Sequence, residues 1–369
     1  MTILFRATGD IGPNRPNPAQ CFAPSAPLLQ KADITFGQLE CVISDRGFRL
    51  PQVRHTHRAI PAAAQAIAEA GYDVISFAGN HCMDWGPEGL DDTVAHLGAA
   101  GLDVVGVGQN IAQARRPVIR KVNGVRVAFL AACSILPPGF WAEERRAGCM
   151  PMRAHTLYEQ IEIDQPGTPA RIHTYAHADD LAAFLADIRA AKAQADVVVA
   201  SLHWGIHFVP ATIADYQFEV GRAVIDAGAD IILGHHAHIL KGVDIYRGRP
   251  IFYSLGNFAI DLPMTREHAQ SKGFKEIQKL APEWQPNFES MYNFPPDSRM
   301  TMIVECDLTR EGIARTAFRP AFINDDAQAE PLPADDPRFG KVLAYMRWCN
   351  EEAGLNATYE AQGDTIVVG

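Results

Sequence analysis

The run Asp230-Ile231-Ile232-Leu233-Gly234-His235-His236-Ala237-His238 decides the reading of this chain. Its first part is a short apolar stretch with the character of a buried strand. Its last part sets three imidazoles in four positions. A strand interior has no use for three histidines. The end of a strand, where the chain turns out towards a crevice, is where metal ligands belong. The run therefore predicts a strand that closes on a metal site.

Working outward, apolar runs rich in Val, Ile and Phe recur and predict further strands. They are Ile3–Thr8, Ile34–Leu39, Val74–Ala78, Val104–Val107, Val125–Ala131, Val197–Leu202, Ile251–Ser254 and Thr301–Cys306. Ala-rich segments between them predict helices over Pro61–Ala70, Gly89–Ala100, Ala178–Gln194 and Ile213–Ala227. The last two repeat apolar residues at three- and four-residue spacing, as amphipathic helices do. Gly71, Gly101 and Gly228 follow three of the helices, where a left-handed cap would place them. Strands alternating with helices imply a layered α/β fold.

The strand ends share one chemistry. The first closes on Thr8-Gly9-Asp10 and the second on Gly37-Gln38-Leu39-Glu40. The third closes on Ala78-Gly79-Asn80-His81, followed by Asp84. Later ends are Ser201-Leu202-His203-Trp204-Gly205, followed by His207, and Tyr253-Ser254-Leu255-Gly256-Asn257. Each alone has an ordinary reading as a turn, a helix cap or a satisfied core histidine. Together they form a mixed oxygen and nitrogen donor set. Burying so many polar groups without partners would cost several kcal/mol.

Composition sets the frame. The 369 residues are 47% hydrophobic and 21% charged, which is ordinary for a globular protein with a large core. The net charge of −10, with no basic stripe, argues against nucleic acid. No polybasic segment suggests a membrane surface, and no apolar stretch approaches the ~20 residues of a membrane span. The start, Met1-Thr2-Ile3-Leu4-Phe5-Arg6, reads as a first strand rather than a signal peptide. Seven cysteines are scattered singly, which argues against a disulfide framework and for a reducing, cytoplasmic setting. Cys82 reads as a packing residue.

These motifs resemble the calcineurin-like metallophosphoesterase superfamily, and more closely its CapA-like branch, named for capsule (poly-γ-glutamate) synthesis. The residues that carry the resemblance are Gly9-Asp10-Ile11, Leu39-Glu40, Gly79-Asn80-His81-Cys82-Met83-Asp84-Trp85-Gly86, His203-Trp204-Gly205, Gly234-His235-His236-Ala237-His238 and Tyr253-Ser254-Leu255-Gly256-Asn257-Phe258. They span roughly residues 9 to 261 in the family's order. The resemblance implies a four-layer α/β/β/α sandwich with two divalent metals at the sheet ends. It implies that Asp10 binds one metal, that Glu40 bridges both, that Asn80 and His203 bind the second, and that His236 and His238 complete the pair. It gives His81 the role of general acid or transition-state donor, with Asp84 orienting it. His235 is left to point into the core or to hydrogen-bond behind a ligand.

The departures are informative. Phosphoesterases of this kind carry Asp-x-His on the first strand, whereas Asp10-Ile11-Gly12 lacks the histidine. CapA-like proteins typically carry a Glu where His207 stands. The segment Arg54-His55-Thr56-His57-Arg58 is histidine-rich where the family tends to have an aromatic before the Arg. His57 or His207 would supply the missing ligand or read a substrate group, or else be solvated loop histidines, as His55 also would. Arg58 either clamps an anionic substrate or is solvated. Asn257 is assigned to substrate binding.

The donor mix suits Mn, Zn or Fe and disfavours calcium. The resulting expectation is a metal-dependent hydrolase. Activated water would attack an amide (γ-glutamyl or cyclic amide) or phosphoester bond of a small anionic substrate. The alternative is a non-catalytic or assembly role in making a poly-γ-glutamate-like capsule polymer. Residues 1–330 are expected to form one domain, with residues 331–369 as a C-terminal extension packed on it. Residues 262–298 break the strand–helix rhythm with Pro263, Pro282, Pro286, Pro295 and Pro296. They read either as a surface insertion, the favoured alternative, or as a lid. Oligomeric state leaves no trace in the sequence.

Overall fold

The computed structural model describes residues 1–53 and 55–369, so Arg54 of the histidine-rich segment lies outside the described residues. Among the described residues the two large sheets have ten and six strands. In the ten-stranded sheet, Ile3–Gly12, Ile34–Leu39, Val74–Ser76 and Asp103–Val105 run parallel side by side. In the six-stranded sheet the parallel core is Val125–Cys133, Val197–His203, Ile231–His235 and Arg249–Phe252.

Period-two alternation explains how the sheets stack. In Val125–Cys133, the residues Val125, Val127, Phe129 and Ala131 join the core between the sheets, whereas Ala128, Leu130 and Ala132 join the core beneath the outer helices. Phe129 lies parallel to Phe36 of the ten-stranded sheet, with ring centroids 5.8 Å apart. Helices Ala178–Lys192 and Asp215–Asp226 bury Phe184, Ile188, Val220 and Val224 on the outer face of the six-stranded sheet. Helices Ala62–Glu69 and Gly86–Ala99 contribute Ile67, Leu90 and Leu97 on the other side. The layers are therefore α/β/β/α, the four-layer sandwich expected. Gly71, Gly101 and Gly228 all have positive φ after their helices.

The first strand runs to Gly12 rather than Thr8. Beyond Thr8 it keeps pairing with Leu39 on one side and with Asn257–Ile260 on the other. The register shifts around Asp10 on both sides, a bulge that turns this carboxylate out of the ladder. Val104–Val107 divides at Gly106, whose φ is +85°, into Asp103–Val105 and Val107–Gly108. Among the elements with no expectation are the strand Gly312–Ile323 and the helix Pro337–Ala353 that packs on it.

Residues 262–298 hold the short helices Arg266–Gln270 and Lys272–Ile277. Met264, Phe274 and Trp284 pack against Phe208, Ala237 and Ile239 beside the histidine run. The segment thus packs over the strand ends that carry the histidine run. Phe274 and Trp284 are buried there instead of being solvated.

Candidate metal centre

All the strand ends singled out above meet at one edge of the sandwich. Asp10, Glu40 and Asn80 arrive from the ten-stranded sheet, and His203, His235, His236 and His238 from the six-stranded one. Oxygen donors thus come from one sheet and nitrogen donors from the other. Two donor groups emerge: Glu40 with His203 and His236, and Glu40 with Asp10 and His238. Within each, the donor atoms lie within 4.8 Å of one another, and Glu40 belongs to both. Asn80 Oδ1 joins the first group, 2.6 Å from His203 Nε2.

The electrostatics fit divalent cations. Among the described residues both buried oxygens of Glu40 accept no hydrogen bond, and Nδ1 of His203 and of His236 are likewise without partners. Burial and the adjacent Asp10 hold the Glu40 carboxyl well above the usual carboxylate range. A buried carboxylate without a hydrogen bond, facing His203 Nε2 at 3.6 Å, is costly unless a cation lies beside it. Burial pushes His203 down to about 3 and His236 well below the ordinary histidine value. Both imidazoles are therefore neutral, the form that ligates metal. Burial would raise Asp10, but the hydrogen bond and charge of His235, with His203 and His238 nearby, bring it to about 2.

His235 does not join either donor group among the described residues. It continues the Ile231, Leu233 alternation onto the face between the sheets, and its Nδ1 lies 3.0 Å from Asp10 Oδ1. The backbone N–H of His236 donates to the other Asp10 oxygen at 3.1 Å. His236 and His238 have φ of +87° and +56°. Such backbone is uncommon outside glycine and is held only where the surroundings fix it, often at functional sites. Gly12, in place of a histidine after Asp10, offers no side-chain donor.

His81 lines the adjoining cavity, and its Nδ1 lies 2.7 Å from Asp84 Oδ2. Asp84 is fully buried, which raises its carboxyl despite the opposing His81. His57 stands edge-on to His81 at 5.4 Å, and the His207 ring lies tilted against His236 at 3.9 Å. Both line the cavity, and neither belongs to a donor group among the described residues.

Two substrate-contact expectations need correction. Asn257 is fully buried behind His238: its Oδ1 is 2.7 Å from His238 Nδ1, and its Nδ2 donates to Tyr292 Oη at 2.8 Å. Both ends of the amide are used, so Asn257 holds His238 and is not among the residues that line the cavity. Arg58 turns away from the site. Its guanidinium donates to the carbonyls of Ser44 and Arg46 and covers the Trp85 ring at 4.1 Å. Among the described residues the arginine at the cavity is Arg49, which the sequence does not single out because no motif surrounds it. Also missed was Ser134-Ile135-Leu136-Pro137-Pro138, which lines the cavity just past the end of the Val125–Cys133 strand. Its signal was the same strand-end position that exposed the other motifs.

Residues 5–262 match the family described as bacterial capsule synthesis protein PGA_cap. The chain belongs to that family. Its PGA_cap relatives include the capsule biosynthesis protein CapA of Bacillus anthracis, 33% identical over 69% of this chain and 56% of that protein. The PGA biosynthesis protein CapA of Bacillus subtilis is 30% identical over 65% of this chain and 56% of that one. The match thus spans little more than half the length of these relatives. The crystal structure of calcineurin-like phosphoesterase YfkN from Bacillus subtilis aligns with 96% of this chain and 98% of that one, at 16% identity and a TM-score of 0.44. Among the described residues no helix is long and apolar enough to cross a membrane.

Proposed function

We propose that this PGA_cap protein is a metal-dependent hydrolase. Its bond would be an amide, γ-glutamyl or cyclic, or a phosphoester of a small anionic molecule. The observation that carries this reading is the buried, unpartnered Glu40 carboxylate shared by two donor groups. Asp10, Glu40 and His238 would hold one divalent ion, and Glu40, Asn80, His203 and His236 the other; Mn, Zn or Fe suit these donors. When bound, such a pair polarises the target oxygen and activates water.

The residues around the donors supply the rest. Oxygen from water joins the carbonyl carbon or phosphorus, and the C–N or P–O bond breaks. His81 delivers the proton to the departing nitrogen or oxygen, with Asp84 fixing its ring through Nδ1. Arg49 at the cavity is suited to an anionic group on the substrate.

The test is metal analysis of the purified protein, followed by assays on phosphoesters, γ-glutamyl amides and lactams. Protein that takes up no transition metal under replete conditions would overturn the reading. A second reading rests on the names of the Bacillus relatives: a non-catalytic part in assembling a capsule polymer. Metal uptake with no turnover on any of the panel would favour it.

A further inference from the structure

A cavity of about 910 Å³ opens beside the donor groups, and its two sides differ in chemistry. One side is polar: Asn80, His81, His57 and the edge of Glu40. The other is mainly apolar, with Phe208, Met264, Phe274, Ile277, Trp284 and Phe294, of which all but Phe208 come from residues 262–298, and with His268 beside Phe274. This apolar side begins at the donors themselves. The Phe294 ring lies 5.0 Å from His238 and the Phe208 ring 5.6 Å from it. Trp284 and Phe274 carry the surface outward, edge to face at 4.9 Å.

The charge inventory agrees with the shape. Among the described residues Arg49 is the only lysine or arginine lining the cavity. The acidic lining residue Asp261 is already paired with Arg15. A γ-linked glutamate chain presents a carboxylate on every residue, and such a ligand is usually met by several cations. An enclosed aromatic wall gains nothing from it. The same wall removes a planar or branched apolar group from water.

We propose that the site selects a small substrate with one ring-sized apolar group beside the bond presented to the donors. Residues 262–298 read that group. The proposal deepens the hydrolase reading and rests on it for the position of the reacting end. It names an amphiphilic molecule, with at most one or two charges, as the substrate class.

The test measures binding with turnover switched off. Full-length protein in EDTA is titrated calorimetrically with γ-glutamyl naphthylamide and with γ-linked triglutamate, which share their acyl part. The naphthylamide should bind at least about tenfold more tightly, since even one or two methylenes are worth that much in an apolar pocket. Phe274→Ala and Ile277→Asn should each weaken it about tenfold and leave triglutamate unchanged. Ile277 is half-buried, so Ile277→Asn decides the matter if Phe274→Ala does not fold. Equal or tighter binding of triglutamate overturns the proposal, as does wild-type affinity for the naphthylamide in folded Ile277→Asn. Failure of the hydrolase reading is seen separately, as a bound naphthylamide that metal-loaded protein never cleaves.

Discussion

Asn257 Oδ1 stands 2.7 Å from His238 Nδ1, and this contact fixes which nitrogen of the imidazole carries the proton. The Asn257 amide donates to Tyr292 Oη, which donates to the Ser298 carbonyl at 2.7 Å. The chain of donors leaves His238 Nδ1–H as the donor to Asn257, so the bare Nε2 faces Glu40 Oε1 at 3.6 Å. Asn257→Leu keeps the volume and removes the acceptor. Metal affinity should fall about 10- to 100-fold, read by elemental analysis after dialysis against limiting Mn. Asn257→Asp, which keeps an acceptor oxygen, should retain more metal. Full metal content in Asn257→Leu would show that the contact does not position His238.

His203 and His81 should separate cleanly. His203 is a donor in the first group, so His203→Ala should lower metal content. His81 lies outside both groups. His81→Ala should keep its metal and slow turnover by roughly 10²- to 10⁴-fold. Asp84→Asn should follow His81→Ala in the same direction. Loss of metal from His81→Ala would reverse its assignment.

Acid should unfold the chelated protein early. His203 is wholly inaccessible, and burial pushes it down to about 3. Unfolded, it takes up a proton near pH 6.5. Between those values the unfolded chain binds more protons, so stability falls as pH drops, by about 1.4 kcal/mol per pH unit for this group. Urea midpoints in EDTA should therefore be lower at pH 5 than at pH 7, and His203→Asn should narrow the gap. Equal wild-type midpoints would be evidence against a neutral, buried His203.

Gly9 is required by contact. A Cβ there would lie 2.0 Å from the Gly256 carbonyl oxygen, and Asp10 N–H already donates to that oxygen at 3.0 Å. Gly9→Ala should cost about 1–3 kcal/mol through overpacking and should displace Asp10. The variant would then show both a lower urea midpoint and less bound metal. Loss of stability with metal binding intact would mean that Asp10 is placed by other contacts.

Legibility followed the range of the signal. Asp10, Glu40, Asn80 and His203 each close an apolar run, so a few neighbouring residues announce them. Asn257 closes a run too, yet its task depends on Tyr292, which is 35 residues further along the chain. Arg58 looked available until the Ser44 and Arg46 carbonyls took its guanidinium. The strand Gly312–Ile323 hides because Arg315, Arg319 and Pro320 interrupt its apolar pattern while its ladder to Met300–Thr309 holds. Helix Pro337–Ala353 carried readable ends, Asp336-Pro337 at the start and Gly354 at φ +63° beyond the last turn. Its arginines and glutamates dilute the apolar face that would have drawn notice. The wall formed by residues 262–298 has no periodic signature, because its aromatics meet only through tertiary packing.

The split origin of the donors makes the core a caliper. The oxygen jaw rides on one sheet and the nitrogen jaw on the other, and the stacked pair Phe36–Phe129 is part of the spacer between them. Thinning that spacer would change the gap into which the proposed cations would fit. Selectivity between ions of different radius is then open to adjustment from the hydrophobic interior, without altering a single ligand.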